Sequence, residues 1–110
     1  AERGYRKTLE LGNYEMETWL TRSDILMYLG EFDASIANLE QAKEFYPEAA
    51  EIEFRLAGLN FEKGDNTTAF FHLDNALRIE PAYDIILEEL FPGAYLQKGV
   101  REKINLAKKS

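Results

Sequence analysis

The sequence predicts an all-α fold, a solenoid of stacked helical hairpins. Three observations predict it. The chain resembles itself at an offset of 34 residues. Inside each period, apolar residues recur at three- and four-residue steps, the signature of one face of a helix. Glycine and proline then return at the same two places in successive periods. At this offset Tyr5 falls on Leu39 and Leu73, Thr8 on Ala42 and Ala76, Leu11 on Phe45 and Ile79, Gly30 on Gly64, and Asn13 on Pro47 and Pro81. No gap is needed before about residue 82.

The elements follow in order. Residues 1–15 read as the second helix of a unit that begins upstream, so further units are expected before Ala1. That helix is expected to expose Tyr5, Leu9 or Leu11, a surface able to drive dimerisation. Residues 16–29 read as a helix closed by Gly30, which supplies the left-handed residue a helix end favours. Asp33 is the expected N-cap of a second helix over 35–46, with Ile36, Leu39, Ala42, Phe45 and Tyr46 on its apolar face. Pro47 ends that pair. The next pair repeats the plan: a helix over 49–63, Gly64, an N-cap at Asn66, and a helix over 69–79 with Phe70, Leu73, Ala76, Leu77 and Ile79, ended by Pro81. The small residues Ser35, Ala69, Ala42 and Ala76 are expected where helices approach closely. A third pair starts with Ile85, Ile86, Leu87 and Leu90 but meets Pro92 and Gly93 too soon. Gly99 then precedes a last helix over about 100–109, with Val100, Ile104, Leu106 and Ala107 facing inward. The expected units are therefore 1–15, 16–49, 50–83 and a degenerate capping unit, 84–110.

These units resemble tetratricopeptide repeats. From Met16, the residues Trp19, Ser23, Leu26, Ser35, Leu39, Ala42 and Pro47 fit that family's preferred classes, and Arg22 stands where Leu is usual. From Ala50, the residues Leu56, Ala57, Ala69, Leu73, Ala76 and Pro81 fit, and Glu53 and Asn60 depart; Phe54 is placed to take over the aromatic role at Glu53. The resemblance implies a right-handed α-solenoid that binds peptides along a concave groove. Residues 52–91 also resemble C-terminal regions of bacterial repeat proteins of the Bacteroidetes type.

Composition narrows the chemistry. A chain of 110 residues with 45% hydrophobic content has enough apolar surface for a modest core. Its formal charge of −7 argues against nucleic acid as the partner. No apolar run approaches the ~20 residues a membrane span requires. Cysteine is absent and His72 is the one histidine, which removes thiolate chemistry and any site built on two imidazoles. With no signal-like stretch either, the expected location is the cytoplasm. His72 is expected at or near the surface, and neither Ser23 nor Ser35 sits on a nucleophile elbow that would serve it. Glu88 and Glu89, like Glu51 and Glu53, do not share a helix face as a catalytic pair must. No glycine-rich phosphate loop and no calcium-loop spacing occurs. No catalytic residue, cofactor or metal is expected, and no enzymatic activity.

Binding is the expected function. Carried onto this chain, the family's groove positions are Glu17, Leu20, Thr21, Asp24, Met27 and Tyr28, then Glu51, Phe54, Arg55, Gly58, Phe61 and Glu62, with Ile85, Glu88 and Glu89 extending the row. Gly58 costs a helix about 1 kcal/mol relative to Ala; a notch between Phe54 and Phe61 would account for it, as would close helix packing. The row is acidic, with Arg55 its one cation. An acidic partner tail would be repelled, so the family's carboxylate clamp is not expected, and a basic or amphipathic protein segment is. The alternatives are a self-association module, with the groove filled by the chain's own basic end or by a second copy, and a non-catalytic adaptor within a larger enzyme or secretion complex. That basic end is distinct: residues 98–110 carry Lys98, Arg101, Lys103, Lys108 and Lys109 against Glu102, while the preceding 97 residues are net −11. It reads either as a solvated helix terminus or as a segment that docks on acidic surface.

Overall fold

The structure is a computed structural model that describes the backbone of residues 8–109 and the side chains of residues 16–109. Every regular element among the described residues is helical. The chain divides into two units, one ending at Tyr46 and the other starting at Pro47. The side chains expected to expose apolar surface for a dimer, Tyr5, Leu9 and Leu11, lie outside the described residues.

The first unit is a helical hairpin of α1 (Thr8–Tyr28) and α2 (Phe32–Phe45). Gly30 ends α1 at φ 81°, the left-handed geometry the sequence implies. α1 runs unbroken through residues 13–16, where a boundary between units was expected. Asn13 aligns with two prolines but keeps its N–H and lacks the pyrrolidine ring, so nothing there stops a helix. α2 starts earlier than expected: Glu31 rather than Asp33 is the cap residue, and Asp33 sits in the first turn, where its charge suits the helix dipole. The small residues meet as expected. Ser23 and Ser35 are fully buried, and Ser35 Oγ donates to the Ser23 carbonyl at 2.8 Å. Asn38 Nδ2 adds a second tie, to the Trp19 carbonyl at 2.9 Å.

The second unit begins with a hairpin of α3 (Ala50–Lys63) and α4 (Asn66–Ile79). A 3-10 turn (Pro81–Asp84) follows, then the short helices α5 (Ile85–Leu90) and α6 (Pro92–Tyr95), and finally α7 (Lys98–Lys109). Pro81 and Pro92 each open an element at its first turn, where a missing N–H has no consequence. Gly64 closes α3 at φ 87°. α3 is the centre of the unit and packs against α4, the 3-10 turn, α5 and α6. Its residues 52–54 and 56–61 are all buried, so it is covered on nearly every side. Ala69, Leu73 and Ala76 of α4 are fully buried, and the Phe61 and Phe70 rings meet edge to face at 5.1 Å.

At the turn of the hairpin the cap of α4 is Asp65, one residue before the expected Asn66, because the Asp65 carboxylate accepts from the Thr68 N–H at 3.2 Å. The Thr68 side chain, and then its backbone N–H, hold this carboxyl below the usual carboxylate range. A carboxyl lowered on folding contributes stability that is complete above its unfolded pKa of about 3.9 and lost as pH falls through the folded value. Asp65→Ala is therefore expected to lower Tm at neutral pH. The gap to the parent should close as pH falls below about 4, which thermal melts across that range would register.

The last segment departs from expectation in two places. Gly99 does not separate elements; it lies inside α7, facing the Phe70 ring. Val100 and Ile104 are buried as expected and Ala107 is half-buried, but Leu106 is exposed. On a helix anchored by Val100 and Ile104, position 106 points about 200° from the buried side.

Candidate binding surfaces

The expected groove residues of the second unit are mostly interior. Phe54 is fully buried, and Gly58 and Phe61 are buried with it. The notch expected at Gly58 is filled by the chain itself: a Cβ there would collide with the ring of Phe91. Gly58 thus permits close packing, and Phe54, Gly58 and Phe61 are not presented to a ligand. A helix apolar on several faces buries all of them when neighbours are available. Glu51 and Arg55 are half-buried, and Arg55 Nη1 donates to the Glu51 carbonyl of its own helix at 3.1 Å. Glu62, Ile85, Glu88 and Glu89 are exposed.

His72 also differs from expectation. It is buried in α4, with Nδ1 2.8 Å from Oε1 of buried Glu53 in α3. With Glu53 ionised the carboxylate accepts, which places the imidazole proton on Nδ1. The pair ties α3 to α4 in the interior. The signal for it was Glu53 itself, an acid at a position where the repeat pattern wants an aromatic, since a buried acid requires a partner.

The first unit does present a surface. A groove of about 470 Å³ runs along α1, lined by Glu17, Thr18, Thr21, Arg22, Ile25 and Leu26. These residues recur at three- and four-residue steps and so share a helix face. Ile25 in this lining is 54% exposed. A second recess of about 260 Å³ adjoins it, lined by Thr18, Trp19, Arg22 and Phe45. There the Trp19 and Phe45 rings stack at 6.2 Å, and the Arg22 guanidinium lies over Trp19 at 5.9 Å. Of the residues expected from the sequence, Glu17 and Thr21 line this groove. Leu20 and Asp24 are half-buried beside it, Tyr28 is exposed further along, and Met27 is buried. Thr18, Arg22, Ile25 and Leu26 were not foreseen in the groove, although Arg22 was visible as a cation where the pattern expects Leu.

The basic end docks on acidic surface of its own unit. Lys108 Nζ contacts both carboxylate oxygens of Asp84, at 3.1 and 3.2 Å, and the Tyr95 hydroxyl donates to the same carboxylate at 3.3 Å. Asp84 is buried; Lys108 is about half exposed. Lys103 pairs with Asp74 of α4 at 3.0 Å. Burial, then the negative charges of Asp84 and Glu88, push the Tyr95 phenol above its ordinary range.

Among the described residues, no three His, Asp or Glu side chains gather as a metal cluster would require, and no helix is long and apolar enough to cross a membrane. No family model, curated protein or solved structure matches the chain.

Proposed function

We propose that the chain is a non-catalytic protein-interaction module of the tetratricopeptide kind, and that the α1 face of its first unit grips an amphipathic protein segment with a basic residue beside an apolar anchor. The observation that carries this reading is the groove along α1, where exposed Ile25 and half-buried Leu26 form an apolar floor with the Glu17 carboxylate at one end. An apolar side chain would lodge against Ile25 and Leu26, and a lysine or arginine beside it would meet Glu17. Trp19, Arg22 and Phe45 extend the surface with the residue types that dominate binding energy at protein interfaces. The repeat kinship is supported by the 34-residue period, by the left-handed glycines Gly30 and Gly64 one period apart, and by the small residues buried in each hairpin.

The test is a displayed random-peptide library panned on the parent chain and on its Ile25→Glu variant. Ile25 is exposed, so the variant is expected to fold. Enriched peptides should share an apolar residue next to a basic one and bind Ile25→Glu at least about tenfold more weakly, a difference of about 1.4 kcal/mol. Glu17→Lys should act in the same direction. Failure to enrich any peptide, or equal binding by parent and Ile25→Glu, refutes the reading.

A further inference from the structure

α7 rests on α4, the 3-10 turn and α6 in a way that leaves it replaceable. Within its twelve residues only Val100 and Ile104 are buried. It is also held by two ion pairs, Lys103 with Asp74 and Lys108 with Asp84, by Lys103 and Gly99 against the Phe70 ring, and by the Arg101 guanidinium over the Tyr95 ring at 5.2 Å. A helix this short and polar is marginal alone in water, so its order comes from the surface beneath it. The Lys103–Asp74 pair is open to solvent on both sides and therefore screened by salt. Leu96 and Gln97 alone join α7 to α6.

The surface beneath is also larger than α7 fills. Ala107 sits between two open recesses. One, of about 500 Å³, is lined by Asp74, Leu77, Arg78, Pro81 and Ala107. The other, of about 320 Å³, is lined by Glu80, Pro81, Ala82, Ala107 and Lys108. A methyl group occupies the place where a longer apolar side chain would reach Leu77 and Pro81.

We propose that the surface formed by α4 and the 3-10 turn is a docking site for a basic amphipathic helix of a partner protein, which α7 occupies in cis until the incoming helix displaces it. The required pattern is written in α7: apolar residues one turn apart at the places of Val100 and Ile104, and lysines at those of Lys103 and Lys108 to meet Asp74 and Asp84. A side chain larger than alanine at the place of Ala107 completes it. A helix of this pattern gains what α7 gains and fills the recess as well; α7 competes through its high effective concentration. The site is separate from the α1 groove, and neither proposal depends on the other.

The experiment uses the full chain and a fluorescein-labelled peptide with the sequence of residues 98–109, read by fluorescence anisotropy at low salt. Lys103→Glu combined with Lys108→Glu is the variant that frees the surface. It should bind the peptide saturably and at least about tenfold more tightly than the parent does. Adding Asp84→Asn to it should remove at least about tenfold of that affinity. A peptide carrying Ala107→Leu should bind the freed chain more tightly than the native peptide. Equal binding by parent and freed chain, or indifference to Asp84→Asn, overturns the proposal. So does a freed chain that dimerises by exchanging α7 while ignoring the peptide. Should the freed chain fail to fold, hydrogen exchange on the parent decides. Faster exchange of α7 amides at high salt, with α3 and α4 unchanged, supports the proposal, and α7 exchanging in step with α3 overturns it.

Discussion

His72→Leu is expected to lower the unfolding free energy by about 1–3 kcal/mol, because it removes one hydrogen-bonded partner of the buried Glu53 carboxyl. A domain of this size has about 5–15 kcal/mol in all, so the variant should stay folded with a clearly lower unfolding midpoint. Glu53→Leu should also destabilise, since it leaves the imidazole Nδ1 facing a hydrocarbon. The informative species is the double variant Glu53→Leu with His72→Leu. Two apolar side chains of suitable bulk can replace a buried polar pair with little loss. The double variant should therefore lose less than the two single losses combined, by about 0.5–3 kcal/mol. Urea unfolding of the parent and three variants measures this coupling. Strict additivity would mean that the 2.8 Å contact makes no energetic difference.

Gly58→Ala provides the second large effect, and its sign is the test. Helix propensity alone favours alanine over glycine by about 1 kcal/mol. The ring of buried Phe91 occupies the space where the new methyl group would go. Overpacking of this kind costs about 1–3 kcal/mol, so Gly58→Ala is expected to destabilise despite the propensity gain. In a Phe91→Ala background the obstruction is gone and the same substitution should become stabilising. Thermal or urea unfolding of the four chains shows whether the sign reverses. A stabilising Gly58→Ala in the parent background would show that α5 and Phe91 do not close over α3 as described.

What could be read from the sequence was local. Gly30 and Gly64 reveal helix ends because a left-handed residue has few alternatives to glycine, and both take the expected geometry. Pro81 follows the helix it was expected to end and Pro92 cuts α5 short as expected, because a ring without an N–H does not continue a helix interior; the short helix that Pro92 opens was not foreseen. The buried small residues Ser35, Ala42, Ala69 and Ala76 follow from their spacing alone. What could not be read was which neighbour meets which face. Phe54 and Phe61 look alike as groove or core, and only the return of α5 with Phe91 decides between them. Glu53 and His72 are 19 residues apart, and no periodicity pairs one particular acid with one particular imidazole. The basic end could be read as charged, but its two anchors, Asp74 and Asp84, lie on different elements that the fold alone brings beneath it. Within the α1 groove, Glu17 and Thr21 followed from the repeat resemblance. Arg22 did not, because it breaks the pattern that located the others.

Trp19 is the sole tryptophan of the chain and stacks on Phe45 within the first hairpin. Its emission is therefore an optical reporter for that hairpin, while Tyr83 and Tyr95 absorb and fluoresce from the other unit. Selective excitation at the red edge of the indole band would follow the melting of one half of the chain without labels.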